Sequence, residues 1–323
     1  MRRQWIALLE EHAPEFFIKE ESPLERLLKE ECEEIMLNAW DQVYVEKKEG
    51  MEKREGIFLH QEHYEREIAL FLAQHNQRLS VDRSILHFSL EHDIRVQVLH
   101  RQISDDQTIL SFRKGGGGRF SKEDFLENGF MTRKQYHLLC RCVREKKTIF
   151  ISGETSSGKT TLLNFLLGMI PPEERLVVIE DTREIKAPGQ RNAVYLRTSR
   201  DQYQREDIST SDLVKASLRL RPDRIILGEI RREEVVDFLH AINTGHEGSL
   251  CTGHGNSPMD MVHRVEMLLM EAGVPYGAAK RYLGRGIDVI CHLEGKTKRR
   301  IQKICKVDFD GEEVITHEIH ETL

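Results

Sequence analysis

The spacing of apolar residues changes character along this chain. Up to about residue 113 it mixes two periods. PLERLLKEECEEIMLN opens with helical spacing, and HYEREIALFLAQHN sets Ile68, Phe71 and Leu72 on one helical face. DQVYVEKKEG reads as a strand ending in a turn, and SILHFSLEHDIRVQVLHRQIS alternates as two half-buried strands. This is the pattern of a small α+β domain. Farther on, short apolar runs alternate with helices: TIFIS (Thr148–Ser152), RLVVIE (Arg175–Glu180), DRIILGE (Asp223–Glu229) and GSLCT (Gly248–Thr252). Such alternation predicts a parallel α/β sheet. Val235, Phe238, Leu239 and Ile242 recur at helical spacing, and Gly245 suits the end of that helix. Ser257, Pro258 and Asp260 supply the N-cap, first position and first-turn acid of the next helix.

Between the two patterns lies RKGGGG, Arg113–Gly118. Consecutive glycines lose much backbone entropy when ordered, and such runs act as connectors. The rival reading, a glycine nest for an anion, lacks the strand–helix frame such a nest needs. The expected organisation is an N-terminal α+β domain over 1–113, a glycine-rich linker over 114–120 and an α/β domain over 121–323.

Composition removes several function classes. The net charge of −6 is no footprint for wrapping nucleic acid, so no direct nucleic-acid partner is expected. The basic run KTKRRIQKICK reads as a solvated strand face. The start, MRRQWIALLEEHAPEFF, has too short an apolar part for a signal peptide, and no apolar run reaches membrane-span length. A cytoplasmic protein is expected, docked on a membrane only through partners. The six cysteines include no C-x-x-C pair, so neither a zinc module nor a disulfide framework is expected.

The strongest chemical signal is GETSSGKT, which follows a strand and opens the helix TTLLNFLLGMI. It fits the phosphate-binding loop G-x-x-x-x-G-K-[ST]. The cofactor-binding set is Gly153, Glu154, Thr155, Ser156, Ser157, Gly158, Lys159, Thr160 and Thr161. Inward-pointing amides and the positive end of the helix suit phosphate oxygens. Lys159 reaches the β- and γ-phosphates, Thr160 offers its hydroxyl to Mg²⁺, and Thr161 lies near the α-phosphate. The expected cofactors are ATP and Mg²⁺.

Ligands in open α/β sheets sit at the carboxyl ends of the strands. Those ends carry the loop, then Glu180-Asp181, then Glu229, then His254. Glu229 is placed to hold Mg²⁺ together with Thr160, and Glu180 to polarise the attacking water; either carboxylate is a candidate base. The alternative for Glu180 and Asp181 is a capping role in the following turn. No N/T-K-x-D stretch for reading guanine is present, which disfavours a GTPase.

TGHEGSLCTGHGNSP gathers His246, Glu247, Cys251 and His254, a composition that suggests a metal site. Spacing opposes it. His246 precedes the strand and His254 follows it, which separates them by roughly 15–20 Å at about 3.3 Å per residue. Cys251 is expected in the core. Only His254 reaches the edge that carries Lys159, and His246 is left between a subunit contact and a turn cap.

Together these motifs resemble the type II/type IV secretion ATPase superfamily. ISGETSSGKTTLLN is similar to its Walker A region and LVVIEDTREI to its acidic box. SLRLRPDRIILGEIRREEVVDFLHAINTGHEGS is similar to its Walker B region, and TGHEGSLCTGHGNSP to its histidine box. Within the superfamily, LRLRPDRIILGEIR and NTGHEGS look most like the Tad/Flp-type pilus assembly ATPases, with the conjugation-type secretion ATPases next. The resemblance implies a RecA-like P-loop NTPase domain behind the smaller N-terminal domain. It implies Mg²⁺-dependent ATP hydrolysis by a homo-hexamer that powers a pilus or secretion system, docked on an inner-membrane platform protein. It assigns Glu180 to the acid box, Glu229 to Walker B and His254 to sensing the γ-phosphate. It adds an N-domain arginine, best matched by Arg113; Arg219 and Arg231 are further candidates, equally readable as salt-bridge residues.

Three departures from the family pattern stand out. Ser156 replaces a common glycine, which predicts a stiffer loop. Gly253 and Gly255 replace bulkier residues, which predicts a more mobile sensor loop. LHRQIS lacks the prolines common in that N-domain loop. The competing readings are a small-molecule kinase, a RecA-like nucleic-acid translocase and a regulatory ATP-binding subunit with little turnover.

Overall fold

The computed structural model describes residues 22–47, 50–90, 94–114, 120–198, 207–295 and 298–319. The chain divides into two compact units, Met1–Gly117 and Gly118–Leu323. Most of the glycine run assigned as a linker, residues 115–119, lies outside the described residues, as does the N-terminal segment 1–21.

Among the described residues the first unit is one antiparallel sheet with two α-helices. Helix α1 (Pro23–Lys29) is capped by the Ser22 side chain and ends where Glu30 turns extended. The remainder of PLERLLKEECEEIMLN is therefore not helix but β1 (Glu34–Ala39), because Ile35, Leu37 and Ala39 alternate into the core. The other strands are β2 (Gln42–Lys47), β3 (Gly50–Arg54), β4 (Ile85–Ser89), β5 (Ile94–Leu99) and β6 (Ile109–Lys114), in the order β3-β2-β1-β6-β5-β4. Helix α2 (Gln61–Gln74) packs Tyr64, Ile68, Phe71 and Leu72 against this sheet. Arg113 stands exposed on β6, opposite Glu34 and Arg95 in the register.

The second unit is an eight-stranded sheet covered on both faces. Helices α3 (Lys122–Glu127) and α4 (Arg133–Arg144) lead into β7 (Ile149–Gly153), and α5 (Lys159–Leu167) follows the phosphate-type loop. Then come β8 (Leu176–Glu180), β9 (Ala193–Arg197), α6 (Thr210–Ser217), β10 (Arg224–Leu227), α7 (Glu234–Asn243), β11 (Leu250–Gly253), α8 (Pro258–Glu271) and α9 (Tyr276–Gly286). Strands β12 (Val289–Glu294), β13 (Arg300–Phe309) and β14 (Val314–Glu318) close the sheet, in the order β14-β13-β12-β7-β11-β10-β8-β9. Strands β12, β7, β11, β10, β8 and β9 run parallel; β13 and β14 return antiparallel. Strands β7, β8, β10, β11 and β12 are buried on both faces, as their continuous apolar runs require, while the edge strand β9 is only half-buried.

A buried arginine ties together the amino ends of β8, β10 and β11. Arg224, fully buried at the start of β10, bonds Glu174 through Nε (2.7 Å) and a terminal nitrogen (3.2 Å) and donates to the Gly248 carbonyl at 3.2 Å. A Cβ at Gly248 would sit 2.8 Å from that guanidinium, so this position needs glycine. Removing one partner of such a buried pair costs about 3–5 kcal/mol. On β13 the residues Arg300, Gln302, Lys303 and Lys306 are exposed while Ile301 and Ile304 are buried, so the basic run forms a solvated strand face.

Candidate nucleotide site

The carboxyl ends of β7, β11, β10 and β8 lie side by side and deliver the predicted site residues to one edge of the sheet. Gly153 closes β7 with no room for a side chain: a Cβ there would meet the Leu293 carbonyl and Ser157 Oγ, each at 2.7 Å. Glu154, Thr155 and Ser156 form the exposed arc of the loop. Gly158 adopts φ +93° as the N-cap of α5, with Phe130 packed against its α-carbon. Ser156 adopts φ +65°, a left-handed conformation costing roughly 1–2 kcal/mol for a residue with a Cβ. This explains why glycine suits that position in the family.

Lys159 is buried, and its Nζ donates to the carbonyls of Gly153 (2.8 Å) and Glu154 (2.7 Å). Its ammonium is thus folded over the mouth of its own loop. Ser157 Oγ is buried and finds no protein partner, an orphaned polar atom inside the cradle. Buried hydroxyls are normally paired. A loop of this shape, with a buried lysine and an orphaned hydroxyl at a helix N-terminus, fits a phosphate chain. Thr160 and Thr161 are half-buried on the first turn of α5.

The acid nearest to Thr160 is one that sequence reasoning missed. Thr160 Oγ1 donates to Glu184 Oε2 at 3.3 Å. Glu180, assigned as water-polarising acid, is buried and accepts the backbone amides of Glu184 and Ile185, both at 3.0 Å. It shapes the turn that carries Glu184. One helical turn beyond Thr160, Asn164 grips the same segment: it donates to the Glu184 carbonyl (3.2 Å) and accepts from the Lys186 amide (2.8 Å). A hydroxyl and a carboxylate at this spacing are the hard oxygen donors that Mg²⁺ takes. The signal available in sequence was Asn164, four residues after Thr160 and so on the same helical face.

Glu229, expected to hold Mg²⁺ through water, lies among side-chain partners. Its neighbours claim both oxygens: Oε2 bonds Arg231, and Oε1 lies 2.8 Å from His254 Nε2. Arg231 spans onward to Asp181 at 3.0 Å, so it is a bridge between two acids and its guanidinium is held still more firmly charged by Glu229. His254 Nδ1 lies 3.5 Å from Lys159 Nζ. Burial, then the Lys159 charge, hold His254 below histidine's ordinary value despite its carboxylate partner. A neutral ring satisfies both contacts, with Nε2–H donating to Glu229 and Nδ1 facing the ammonium.

Gly228 and Gly253 are closely packed. A Cβ at Gly228 would meet Glu180 Cγ at 3.0 Å, and one at Gly253 would meet Met261 Cε at 2.4 Å; Gly255 lies against the Met261 backbone at 3.1 Å. The two glycines of the histidine stretch thus pack closely on α8. His246 caps the end of α7, with Nδ1 3.0 Å from the Ala241 carbonyl, and Cys251 is fully buried. Arg219 is exposed on the short turn after α6. Arg113 belongs to the other unit. Among the described residues, no three His, Cys, Asp or Glu side chains group as a metal site. No helix among them is long and apolar enough to cross a membrane.

Comparison with known proteins matches residues 18–317 to a family model described as Type II/IV secretion system protein. The probable conjugal transfer protein TrbB of Sinorhizobium fredii is 37% identical over 190 residues, 58% of this chain. The chain spans 56%, little more than half, of that relative's length. The type IV secretion system protein PtlH of Bordetella pertussis is 29% identical over 309 residues, covering 86% of this chain and 91% of PtlH. Among solved structures, the pilus retraction motor PilT with bound ADP covers 92% of this chain and 82% of its own, with TM-score 0.60 and 17% identity. At that identity the likeness is one of fold.

Proposed function

The chain belongs to the type II/IV secretion system protein family, and from that premise we propose that it is a Mg²⁺-dependent ATPase that drives transport through a type IV secretion apparatus. The observation that carries the reading is the single hydrogen-bonded group at the sheet edge: Lys159, His254, Glu229, Arg231 and Asp181, beside the Thr160–Glu184 pair. In this reading the loop amides, Lys159 and Ser157 hold the phosphate chain of ATP. Thr160 and Glu184 hold Mg²⁺, which supplies charge neutralisation when bound. Glu229 and His254 form the acid–imidazole pair at the γ-phosphate end, and Glu180 keeps Glu184 in place.

The chain works as a homo-hexamer on an inner-membrane platform protein, at the cytoplasmic face. The relatives named for conjugal transfer and type IV secretion favour the conjugation-type branch over the Tad/Flp-type pilus branch that the motifs suggested. The fold shared with PilT keeps pilus assembly as the second reading.

The test is ATP turnover by the full chain against protein concentration, with Mg²⁺ present or chelated. Turnover per subunit is expected to rise with assembly, to vanish on chelation and to vanish in Lys159→Ala. A monomer fully active at every concentration overturns the motor reading. Stimulation by single-stranded DNA would point to a translocase instead.

A further inference from the structure

The basic run KTKRRIQKICK has no part in the function assigned above, and one of its residues differs from its exposed neighbours. Arg300, Gln302, Lys303 and Lys306 are exposed on β13, and Arg300 pairs with Glu294 at the end of β12. Lys298 is exposed as well. Arg299 is half-buried, and its δ-carbon lies 3.6 Å from the point where a Cβ on Gly158 would stand. Gly158 is the N-cap of α5 and the last loop residue before Lys159. The guanidinium carbon follows two bonds beyond that δ-carbon, so the cation stands beside the phosphate loop.

Neighbouring contacts fix that placement. Near the end of β12, Leu293 pairs with Gly153 in the parallel register, and its carbonyl is 2.7 Å from a Cβ built on Gly153. At the start of β13 the Ile301 amide donates to the Phe130 carbonyl at 2.7 Å, and Gln135 on α4 donates to the Ile301 carbonyl at 3.2 Å. The Phe130 ring in turn lies 3.1 Å from the Cβ position of Gly158. The two strands are thus anchored at both ends of the loop, β12 at Gly153 and β13 through Phe130 at Gly158. Arg299 falls between these anchors in the chain, and the bare α-carbon of Gly158 leaves room for its stem.

Electrostatics indicate what this cation serves. The amino end of a helix carries partial positive charge and disfavours a nearby cation. Here Lys159 stands within the loop and Arg299 on its flank. In the same cradle the Ser157 hydroxyl is fully buried and has no protein partner. A compact anion satisfies all three features together, and the phosphate chain of a nucleotide is such an anion. Arginine suits the task because its planar fork meets two phosphate oxygens at once.

We propose that Arg299 is a nucleotide-binding residue whose guanidinium holds the phosphate chain of ATP or ADP from the β12 side of β7, with His254 on the β11 side. The proposal rests on the reading of this edge as a nucleotide site. It predicts a loss of affinity for ATP and ADP alike rather than a loss in the chemical step, because the contact is present before and after hydrolysis.

The test is ADP binding by the full chain in a calorimeter, read beside the ADP-dependent rise in melting temperature and the kcat and KM for ATP. Arg299→Met keeps an apolar stem against Phe130 and removes the charge. It is expected to weaken ADP binding by about 10- to 100-fold, as loss of a charge-assisted hydrogen bond does. KM for ATP should rise with it while kcat at saturation stays close to wild type. The melting temperature without nucleotide should match wild type, and the rise on adding ADP should shrink. Arg299→Lys is expected to recover part of the affinity. Lys298→Ala and Arg300→Ala, which remove exposed and screened charges, should keep ADP affinity within about 2-fold. Unchanged ADP affinity in Arg299→Met overturns the proposal, and so does an equal loss in Lys298→Ala. If Arg299→Met does not fold, Arg299→Gln carries the same comparison. A wild-type chain that binds no ADP sinks the nucleotide-site reading itself; a wild-type chain that binds ADP no better than Arg299→Met sinks only the role of Arg299.

Discussion

His254 Nε2 stands 2.8 Å from Glu229 Oε1, joining the acid that follows β10 to the histidine that follows β11. Neither side chain acts alone in this arrangement. Losing the imidazole frees a carboxylate to turn fully toward Arg231, and losing the carboxylate leaves the imidazole facing only Lys159. His254→Ala and Glu229→Gln are therefore expected to bind ADP within a few-fold of wild type and to lose most turnover. The double variant should be barely worse than either single one, as expected for groups that act as a unit. Additive losses in steady-state kinetics would separate the pair.

The two acids of the EDTRE segment should behave differently. Glu180→Gln keeps an oxygen that accepts the Glu184 and Ile185 amides, so the turn survives. Glu184→Gln removes the charge facing Thr160. The expected result is a large kcat loss for Glu184→Gln, about 10²–10⁴-fold if the carboxylate also serves as base, and a much smaller one for Glu180→Gln. The opposite order would return the catalytic role to Glu180.

Arg231 separates stability from function. Its ion pairs with Glu229 and Asp181 are half-exposed, so they contribute under about 1 kcal/mol to folding. Arg231→Ala should melt close to wild type. It should still turn over poorly, because Glu229 and Asp181 lose the cation that orients both. Thermal melts and ATPase rates on the same sample check this, and a fully active variant would reduce the bridge to surface decoration.

Acidification should weaken the fold through its depressed histidines. Both His254 and His292 are held below the ordinary 6.5 by burial first. Between the folded-state value and 6.5 the unfolded chain binds more protons than the folded one. Stability therefore is greatest above 6.5 and declines as pH falls through that window. His292 is the more buried of the two, so His292→Gln should flatten the dependence of melting temperature on pH below 6.5. An unchanged slope would place the acid sensitivity elsewhere.

Ser156 offers a test of strain in the loop. Its φ of +65° favours glycine. Ser156→Gly relieves that strain but adds freedom to the unfolded chain, worth about 0.5–1 kcal/mol. The two effects oppose each other, so stability should change by less than about 1 kcal/mol and ATP turnover should persist. Ser156→Val, β-branched at a positive φ, should impair both nucleotide binding and stability.

Much of the second unit was legible because parallel strands are buried on both faces and short apolar runs mark them directly. The caps of α7 and α8 were legible for the same local reason. Strand β1 was obscured by the acidic helix before it: Leu24 and Leu27 bury on a helical period and Ile35 and Leu37 on a strand period within one polar stretch. Strands β9 and β14 carried no motif to draw attention, and β13 was legible only through its basic run. The close packing of Gly253 and Gly255 was not legible, because glycine signals either freedom or close approach and only the position of Met261 shows the second.

By itself the sequence determined the phosphate loop, the parallel α/β pattern and the set of strand ends that carry acids and a histidine. These follow from local rules, since spacing and strand–helix order need no long-range information. Only the tertiary structure decided which acid faces which partner. Thr160 meets Glu184, Glu180 accepts the amides of the turn that carries Glu184, and His292 meets Ser152 on the neighbouring strand. The reason is distance: hydrogen bonds act over about 3 Å, and the Thr160–Glu184 and Ser152–His292 pairs are separated by 24 and 140 positions in the chain.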